Sequence, residues 1–95
     1  MLSTPPEDKN RGTAVALATA AIEEGIETYL YLIDDGVYNL DLPEINILKN
    51  SGVRLFACAY GARQRGIPLN DQAIFSGLVT LSDIIKGCDR FIALN

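Results

Sequence analysis

The residue most suited to carry out a reaction is Cys58, which joins a short apolar run to a stretch of helix-forming residues. Residues 53–56 predict a buried strand, and residues 57–65 predict a short helix that Gly66 ends. Cys58 would therefore lie at the carboxyl end of a strand and the amino end of a helix. Free backbone N–H groups and the helix dipole favour an anion there, and the anion of cysteine is the reactive thiolate.

Two interpretations of Cys58 follow from this placement. It is either a reactive thiol or a small buried apolar residue, which is the usual role of a free cysteine. Arg63 and Arg65 would add positive charge, but Arg65 follows the cysteine by seven residues. Seven residues of helix span about 10 Å, where a Coulomb effect on the thiol is weak. Both arginines are therefore expected to cap the end of their helix.

A second group of polar residues, Asp34 and Asp35, follows the predicted strand 26–33. Adjacent side chains at the end of a strand point apart, so a carboxylate pair that shares a proton is not expected. Turn residues are the simplest interpretation. The segment from Asp35 through Gly36 to Val37 nevertheless lies at the same predicted sheet edge as Cys58. We expect these three residues to line a pocket with it.

Three further residues complete the predicted pocket lining: Tyr60, Arg65 and Gly77. Ser76 is expected to be the N-cap of the last helix. The second thiol, Cys88, leads into the last predicted strand and so lies at the opposite end of the sheet. A five-residue strand separates the two ends by roughly 16 Å, whereas a disulfide needs Cα atoms within about 7 Å. We therefore expect Cys88 to be a packing residue rather than a partner of Cys58.

The order of elements predicts an α/β fold made by a single domain of residues 1–95. Apolar residues at helical spacing predict helices from about residue 8 to 24, from residue 43, and over residues 78–86. The nearly continuous apolar run 26–33 is typical of a strand covered on both faces. With a stub at residues 1–3 and a final strand at 90–94, we expect a mostly parallel sheet of four to five strands. Residues 68–76 are expected to form a loop.

Composition excludes several classes of function. The net charge of −4 argues against nucleic acid as a partner, and the absence of histidine excludes histidine catalysis and histidine-ligated metal within the chain. Two cysteines without CxxC spacing predict no metal site, and no cofactor is expected. No apolar run has the length of a membrane span and no signal peptide is apparent. We expect a cytoplasmic protein whose small core, with a hydrophobic fraction of 48%, favours oligomers.

Taken together, these features resemble the DsrE/DsrF-like family of small sulfur-relay proteins. The matching features cover nearly the whole chain. They are Thr4-Pro5-Pro6-Glu7-Asp8 before an Ala-rich helix, Asp35-Gly36-Val37 after a strand, Cys58 at a strand end, Arg65-Gly66, Gly77-Leu78 opening a helix, and Cys88-Asp89-Arg90. One departure is that the family begins with a full strand, whereas only residues 1–3 precede the Thr4 loop. The first strand is therefore expected to be truncated or unusually short, which would increase the need for oligomer contacts.

The resemblance implies a three-layer α/β/α sandwich in which Cys58 carries a persulfide. It also implies homo- or hetero-oligomers, commonly trimers and hexamers, that pass sulfane sulfur between donor and acceptor proteins for sulfur oxidation or tRNA thiolation. A different class of function, a non-catalytic oligomeric scaffold or binding subunit with an inert Cys58, stays open. A thiol redox sensor is disfavoured because no resolving cysteine lies within reach in one chain.

Overall fold

A computed structural model describes all residues 1–95 of the chain. The helices are α1 (Asn10–Glu23), α2 (Pro43–Asn50), α3 (Ala59–Gln64) and α4 (Leu78–Gly87). The strands are β1 (Tyr29–Leu32), β2 (Arg54–Cys58) and β3 (Ile74–Ser76), and a 3₁₀ helix spans Asp34–Asp41. The segment predicted as a turn after β1 is thus a regular 3₁₀ helix. None of the helices has both the length and the apolarity required to cross a bilayer.

The predicted parallel sheet is confirmed, but the predicted number of strands is wrong. The sheet has three strands in the order β1-β2-β3, and both pairs are parallel. The expected first and last strands are reduced to isolated bridges, in which Leu2 pairs with Leu32 on one side and Leu94 on the other. Each segment contributes one bridging residue to the ladder, which is too little to make a strand. Conversely, β3 lies within the stretch that was predicted to be a loop.

The bridges at Leu2 nevertheless continue the hydrogen-bond pattern of the sheet. The Leu2 N–H donates to the Tyr31 carbonyl at 2.9 Å, and the Ile33 N–H donates to the Leu2 carbonyl at 3.1 Å. On the other side the Ser3 N–H donates to the Leu94 carbonyl at 3.0 Å. Gly36 lies against this short segment, and a Cβ there would collide with the Leu2 carbonyl oxygen. The absence of a side chain at residue 36 therefore lets the 3₁₀ helix approach the edge of the sheet.

Alternate residues of the strands face two separate apolar clusters. The larger cluster joins one face of the sheet to α1 and α2, and its members include Ala14, Ala18, Leu30, Leu32, Ile45, Leu48, Leu55 and Ala57. Two alanines from α1 let that helix lie close to the strands. The smaller cluster lies on the other face and consists of Tyr31, Phe56, Cys58 and Leu81. Because Leu81 belongs to α4, helices cover both faces of the sheet.

Candidate functional site

Cys58 is the last residue of β2 and the N-cap of α3, as the sequence predicts. Its backbone is extended, with φ −69° and ψ 117°, and its sulfur accepts a hydrogen bond from the Gly61 N–H at 3.4 Å. An N-cap acceptor satisfies one of the helix donors that has no intrahelical partner. The residue is only 5% exposed. The sulfur thus lies at a donor that stabilises negative charge, but it lies beneath other side chains.

Gly61 is the point at which three parts of the site meet. A Cβ on this glycine would lie 3.6 Å from the Asp34 backbone nitrogen and 3.7 Å from both the Cys58 Cβ and the Arg65 Nη1. Asp34 has a left-handed backbone with φ 52°, which asparagine and aspartate tolerate better than most residues. This conformation turns the chain from β1 into the 3₁₀ helix beside α3. The carboxyl ends of β1 and β2 are therefore in direct contact here.

Arg65 caps the helix, as expected, and also turns back toward the site. Its Nη1 donates to the Gly61 carbonyl at 3.1 Å, and its Nε donates to Asp35 Oδ1 at 2.9 Å. The sequence-based distance along the helix axis did not account for a long side chain that folds back over its own helix. Arg65 and Asp35 thus lie beside Gly61, whose N–H contacts the Cys58 sulfur, whereas Arg63 is exposed.

The other four residues that were predicted to line the pocket lie in different environments. Val37 is completely buried in the larger core cluster, and Gly36 packs against the Leu2 backbone. Tyr60 projects outward, and its hydroxyl accepts a hydrogen bond from Gln64 Nε2 at 2.8 Å. Gly77 is the N-cap of α4 in place of Ser76, and no side-chain oxygen caps that helix.

The sequence did not point to Tyr31, although its hydroxyl contacts the turn between β3 and α4 on the other side of the site. The ring is 2% exposed, and it stacks on Phe56 with centroids 6.2 Å apart. The hydroxyl lies 3.2 Å from the Ser76 carbonyl, 3.2 Å from the Gly77 carbonyl and 3.3 Å from Ser76 Oγ. A tyrosine inside an apolar strand was the available signal, because a buried phenol needs a hydrogen-bond partner.

Ser76 connects this tyrosine to the cysteine, because Ser76 is the register partner of Cys58 across β2 and β3. Burial raises the pKa of the Tyr31 phenol, the hydrogen bond with Ser76 opposes that rise, and the neighbouring Cys58 adds to it. The neutral phenol is therefore the favoured form, and it donates its single proton to this turn.

Asn39 is a second residue that sequence reasoning did not identify. It is fully buried, and its Nδ2 donates to the Thr4 carbonyl at 3.0 Å and to the Gly36 carbonyl at 2.9 Å. The Asn39 side chain therefore anchors the loop after Leu2 to the 3₁₀ helix. Both of these segments follow a strand or bridge at the same edge of the sheet as Cys58.

The structure also contains an open groove that Cys58 does not line. A groove of about 730 Å³ runs between α1, the start of β1, α4 and the segment that follows α4. Its lining is mostly apolar and includes Cys88. Both cysteines are free thiols, and no three acidic or cysteine side chains cluster closely enough to hold a metal ion. Cys58 is thus the thiol at the carboxyl edge of the sheet, and Cys88 is the thiol at the groove.

Comparisons with known proteins identify the family and the fold. The sequence model of the DsrE/DsrF-like family matches residues 1–94. The crystal structure of the YchN protein from E. coli superimposes with a TM-score of 0.83 and 22% sequence identity, covering 98% of this chain and 93% of the YchN chain. At that identity the likeness shows a shared fold. None of the curated proteins matches the chain.

Proposed function

The chain belongs to the DsrE/DsrF-like family, and on that basis we propose that it is a sulfur-relay protein that carries sulfane sulfur on Cys58. The observation that carries this proposal is the hydrogen bond from the Gly61 N–H to the Cys58 sulfur, at the junction of β2 and α3. The sulfur is thereby held at a free backbone donor at the amino end of a helix, between the two elements that form this edge of the site. The carrier would be an intracellular protein that receives sulfur from one protein and delivers it to another.

The reaction is an exchange between a thiolate and a persulfide. The Cys58 thiolate attacks the outer sulfur of a donor persulfide, a new S–S bond forms on Cys58, and the S–S bond of the donor breaks. The donor leaves as a thiolate, and the proton stays on the transferred sulfur. Delivery is the same step in reverse, with an acceptor thiolate attacking the outer sulfur of the Cys58 persulfide. No metal and no organic cofactor takes part.

The walls of the site suit this exchange. The Gly61 N–H that contacts the thiol would also stabilise the persulfide anion, which carries its charge one atom further out. The Arg65 guanidinium is held beside Gly61 by its bonds to the Gly61 carbonyl and to Asp35. The same glycine donates its N–H to the Cys58 sulfur, so the guanidinium is held one residue contact away from the thiol.

We also propose that the chain works as a homo-oligomer, a trimer or a hexamer as in the family. The support comes from apolar side chains exposed around β3 and the start of α4, namely Ile74, Leu78 and Val79. β3 is an edge strand of only three residues, so its outer backbone groups have no strand beside them. A neighbouring subunit would cover this surface and place the Cys58 edge close to the subunit boundary. Donor and acceptor proteins would then approach that boundary.

Mass spectrometry after incubation with a protein persulfide donor tests the sulfur carrier directly. We expect a mass gain of one sulfur on the peptide that contains Cys58, and a loss of that gain after reduction. Cys58→Ser should abolish loading while circular dichroism stays native, and Cys88→Ser should load normally. Modification of Cys88 with an unmodified Cys58 would contradict the assignment.

The burial of Cys58 favours one alternative, a scaffold subunit of the same fold whose cysteine is inert. The rate of alkylation by iodoacetamide separates the two functions. A sulfur carrier should react at neutral pH at least as fast as a model cysteine peptide once its site is open. A scaffold should react only as fast as the whole chain unfolds, and should show no sulfur loading at any donor concentration.

A further inference from the structure

The proposed exchange requires that Cys58 become accessible, because a protein-borne persulfide cannot reach a thiol that is 5% exposed. The buried side chains in the cluster of the thiol, Tyr31, Phe56 and Leu81, come from β1, β2 and α4. β1 and β2 are paired over four residues and form the centre of the molecule. Of these three elements, α4 is the one that can move without breaking the pairing of β1 with β2.

Helix α4 has fewer buried residues than any other helix of the chain. Among its ten residues only Leu81 is buried, and Leu81 packs in the cluster that contains Cys58. Along its length α4 borders the open groove of about 730 Å³, so that side of the helix has no packing partner within the chain. Within a single chain its first residues, Leu78 and Val79, are exposed, so any further support for the start of α4 would come from a neighbouring subunit. Segments with few buried side chains open at lower free energy than the core.

One polar contact holds the start of this helix to the sheet. The Tyr31 hydroxyl reaches the Ser76 carbonyl, the Ser76 hydroxyl and the Gly77 carbonyl, all within 3.3 Å. Ser76 is opposite Cys58 in the sheet, and Gly77 is the N-cap of α4. Gly77 has open space around it, so no side-chain packing supplements the contact at that residue.

We propose that Tyr31 is a positioning residue whose hydroxyl holds the turn between β3 and α4 closed over Cys58. Release of this contact lets α4 move away and exposes the thiol to a sulfur donor. We call this contact of the Tyr31 hydroxyl with Ser76 and Gly77 the latch. The inference rests on the proposed function for its purpose, but the geometry of the latch does not depend on which compound reacts with Cys58. Tyr31 does not itself exchange protons or sulfur with the substrate.

Tyr29 provides a matched control for Tyr31. Both tyrosines belong to β1 and both stack on Phe56, with centroids 5.9 Å apart for Tyr29 and 6.2 Å for Tyr31. The Tyr29 hydroxyl, however, bonds to exposed Glu27 at 2.8 Å and makes no contact with the turn. Tyr29→Phe and Tyr31→Phe thus remove the same atom from the same strand, and only the second removes the latch.

The test measures alkylation of Cys58 by iodoacetamide in a Cys88→Ser background, across urea concentrations below the unfolding transition. Local opening gives a rate that hardly depends on urea, whereas global unfolding gives a rate that rises steeply with it. Loss of one hydrogen bond should raise the urea-independent rate about two- to tenfold in Tyr31→Phe. Tyr29→Phe should leave that rate unchanged.

The proposal would be overturned if alkylation of Cys58 became faster to the same extent in both variants. It would also be overturned if Tyr31→Phe raised only the part of the alkylation rate that increases with urea, because Tyr31 would then be merely structural. If Tyr31→Phe does not fold, hydrogen exchange of the unsubstituted chain decides. The intrahelically bonded amides of residues 82–85 should then exchange by local opening, before those of β2, and joint exchange with β2 would contradict the latch.

The outcomes also separate this inference from the proposed function. Sulfur loading of Cys58 combined with a wild-type alkylation rate in Tyr31→Phe would refute the latch and leave the sulfur carrier intact. Faster alkylation in Tyr31→Phe without any loading by a persulfide donor would support the latch and refute the sulfur carrier.

Discussion

The guanidinium of Arg65 and the carboxylate of Asp35 lie 2.9 Å apart across 30 residues of sequence, and their contact ties the end of β1 to α3. The Arg65 side chain is mostly buried, whereas the Asp35 side chain is 54% exposed. Water therefore screens the pair in part, and its contribution to the stability of the fold is expected to be modest.

A double-mutant cycle tests this contact. Asp35→Ala should cost about 0.2–1 kcal/mol of unfolding free energy, in the range of exposed ion pairs. Arg65→Ala should cost more, since it also removes the bond to the Gly61 carbonyl. Urea unfolding of both single variants and the double variant gives the coupling energy. A coupling energy of zero at low salt would mean that the pair contributes nothing.

The close approach of Gly36 to Leu2 predicts a large effect from a small substitution. Gly36→Ala should destabilise the chain by about 1–3 kcal/mol or more, because the added methyl group meets backbone atoms that cannot rotate away. Gly12→Ala is the control, since Gly12 lies inside α1 with open space around it. That change should stabilise the chain by about 0.5–1 kcal/mol. Thermal unfolding should show a lower midpoint for Gly36→Ala and a higher midpoint for Gly12→Ala than for the unsubstituted chain.

Leu81 is the residue through which α4 is anchored to the sheet. Leu81→Ala should cost about 2 kcal/mol or more, as do other truncations of buried leucine. Val79→Ala in the same helix should change the stability of the monomer, measured at dilutions where subunits separate, by less than about 0.5 kcal/mol, because Val79 is 77% exposed within one chain. Urea unfolding followed by circular dichroism compares the two. Similar losses in both variants would indicate that Val79 is covered in solution.

The pH dependence of stability should carry a contribution from Tyr31. Its pKa in the folded chain is raised by burial above the ordinary value of 10.0. The folded state therefore holds the phenol proton more tightly than the unfolded state. The resulting stabilisation is complete below pH 10 and is lost as the pH rises through the folded-state pKa.

Urea unfolding from pH 8 to pH 12 measures this contribution. Stability should decline above pH 10 in the unsubstituted chain and decline less in Tyr31→Phe, which has no phenol to ionise. All other titrating groups are the same in the two proteins. Parallel declines would therefore mean that Tyr31 ionisation is not linked to unfolding.

Part of the architecture was predictable because its signals are local. Gly66 has φ +70°, a conformation that glycine adopts without strain, and it follows α3 as predicted. Pro43 is the first residue of α2, where its missing N–H has no cost. The apolar run before Leu32 indicated a strand covered on both faces, and the two clusters on opposite faces of the sheet confirm it.

The errors in the fold concern segments whose structure depends on distant neighbours. Residues 90–94 have the composition of a strand, yet only Leu94 reaches the sheet, through Leu2. β3 forms in a loop-like sequence because β2 offers it an unpaired edge from Phe56 to Cys58. Strand formation at an edge depends on the partner as much as on the segment itself.

By itself, the sequence determined the α/β class, the parallel sheet and the placement of Cys58 between a strand and a helix. Those features depend on apolar periodicity, caps and turn residues within a few positions of one another. Only the tertiary structure decided which side chains surround the thiol. Arg65 meets Asp35 across 30 residues and Tyr31 meets Ser76 across 45, so both contacts depend on strand register and on how α3 and α4 pack. The burial of Cys58 has the same origin, because α4 and β1 cover a residue that local sequence places at an open edge.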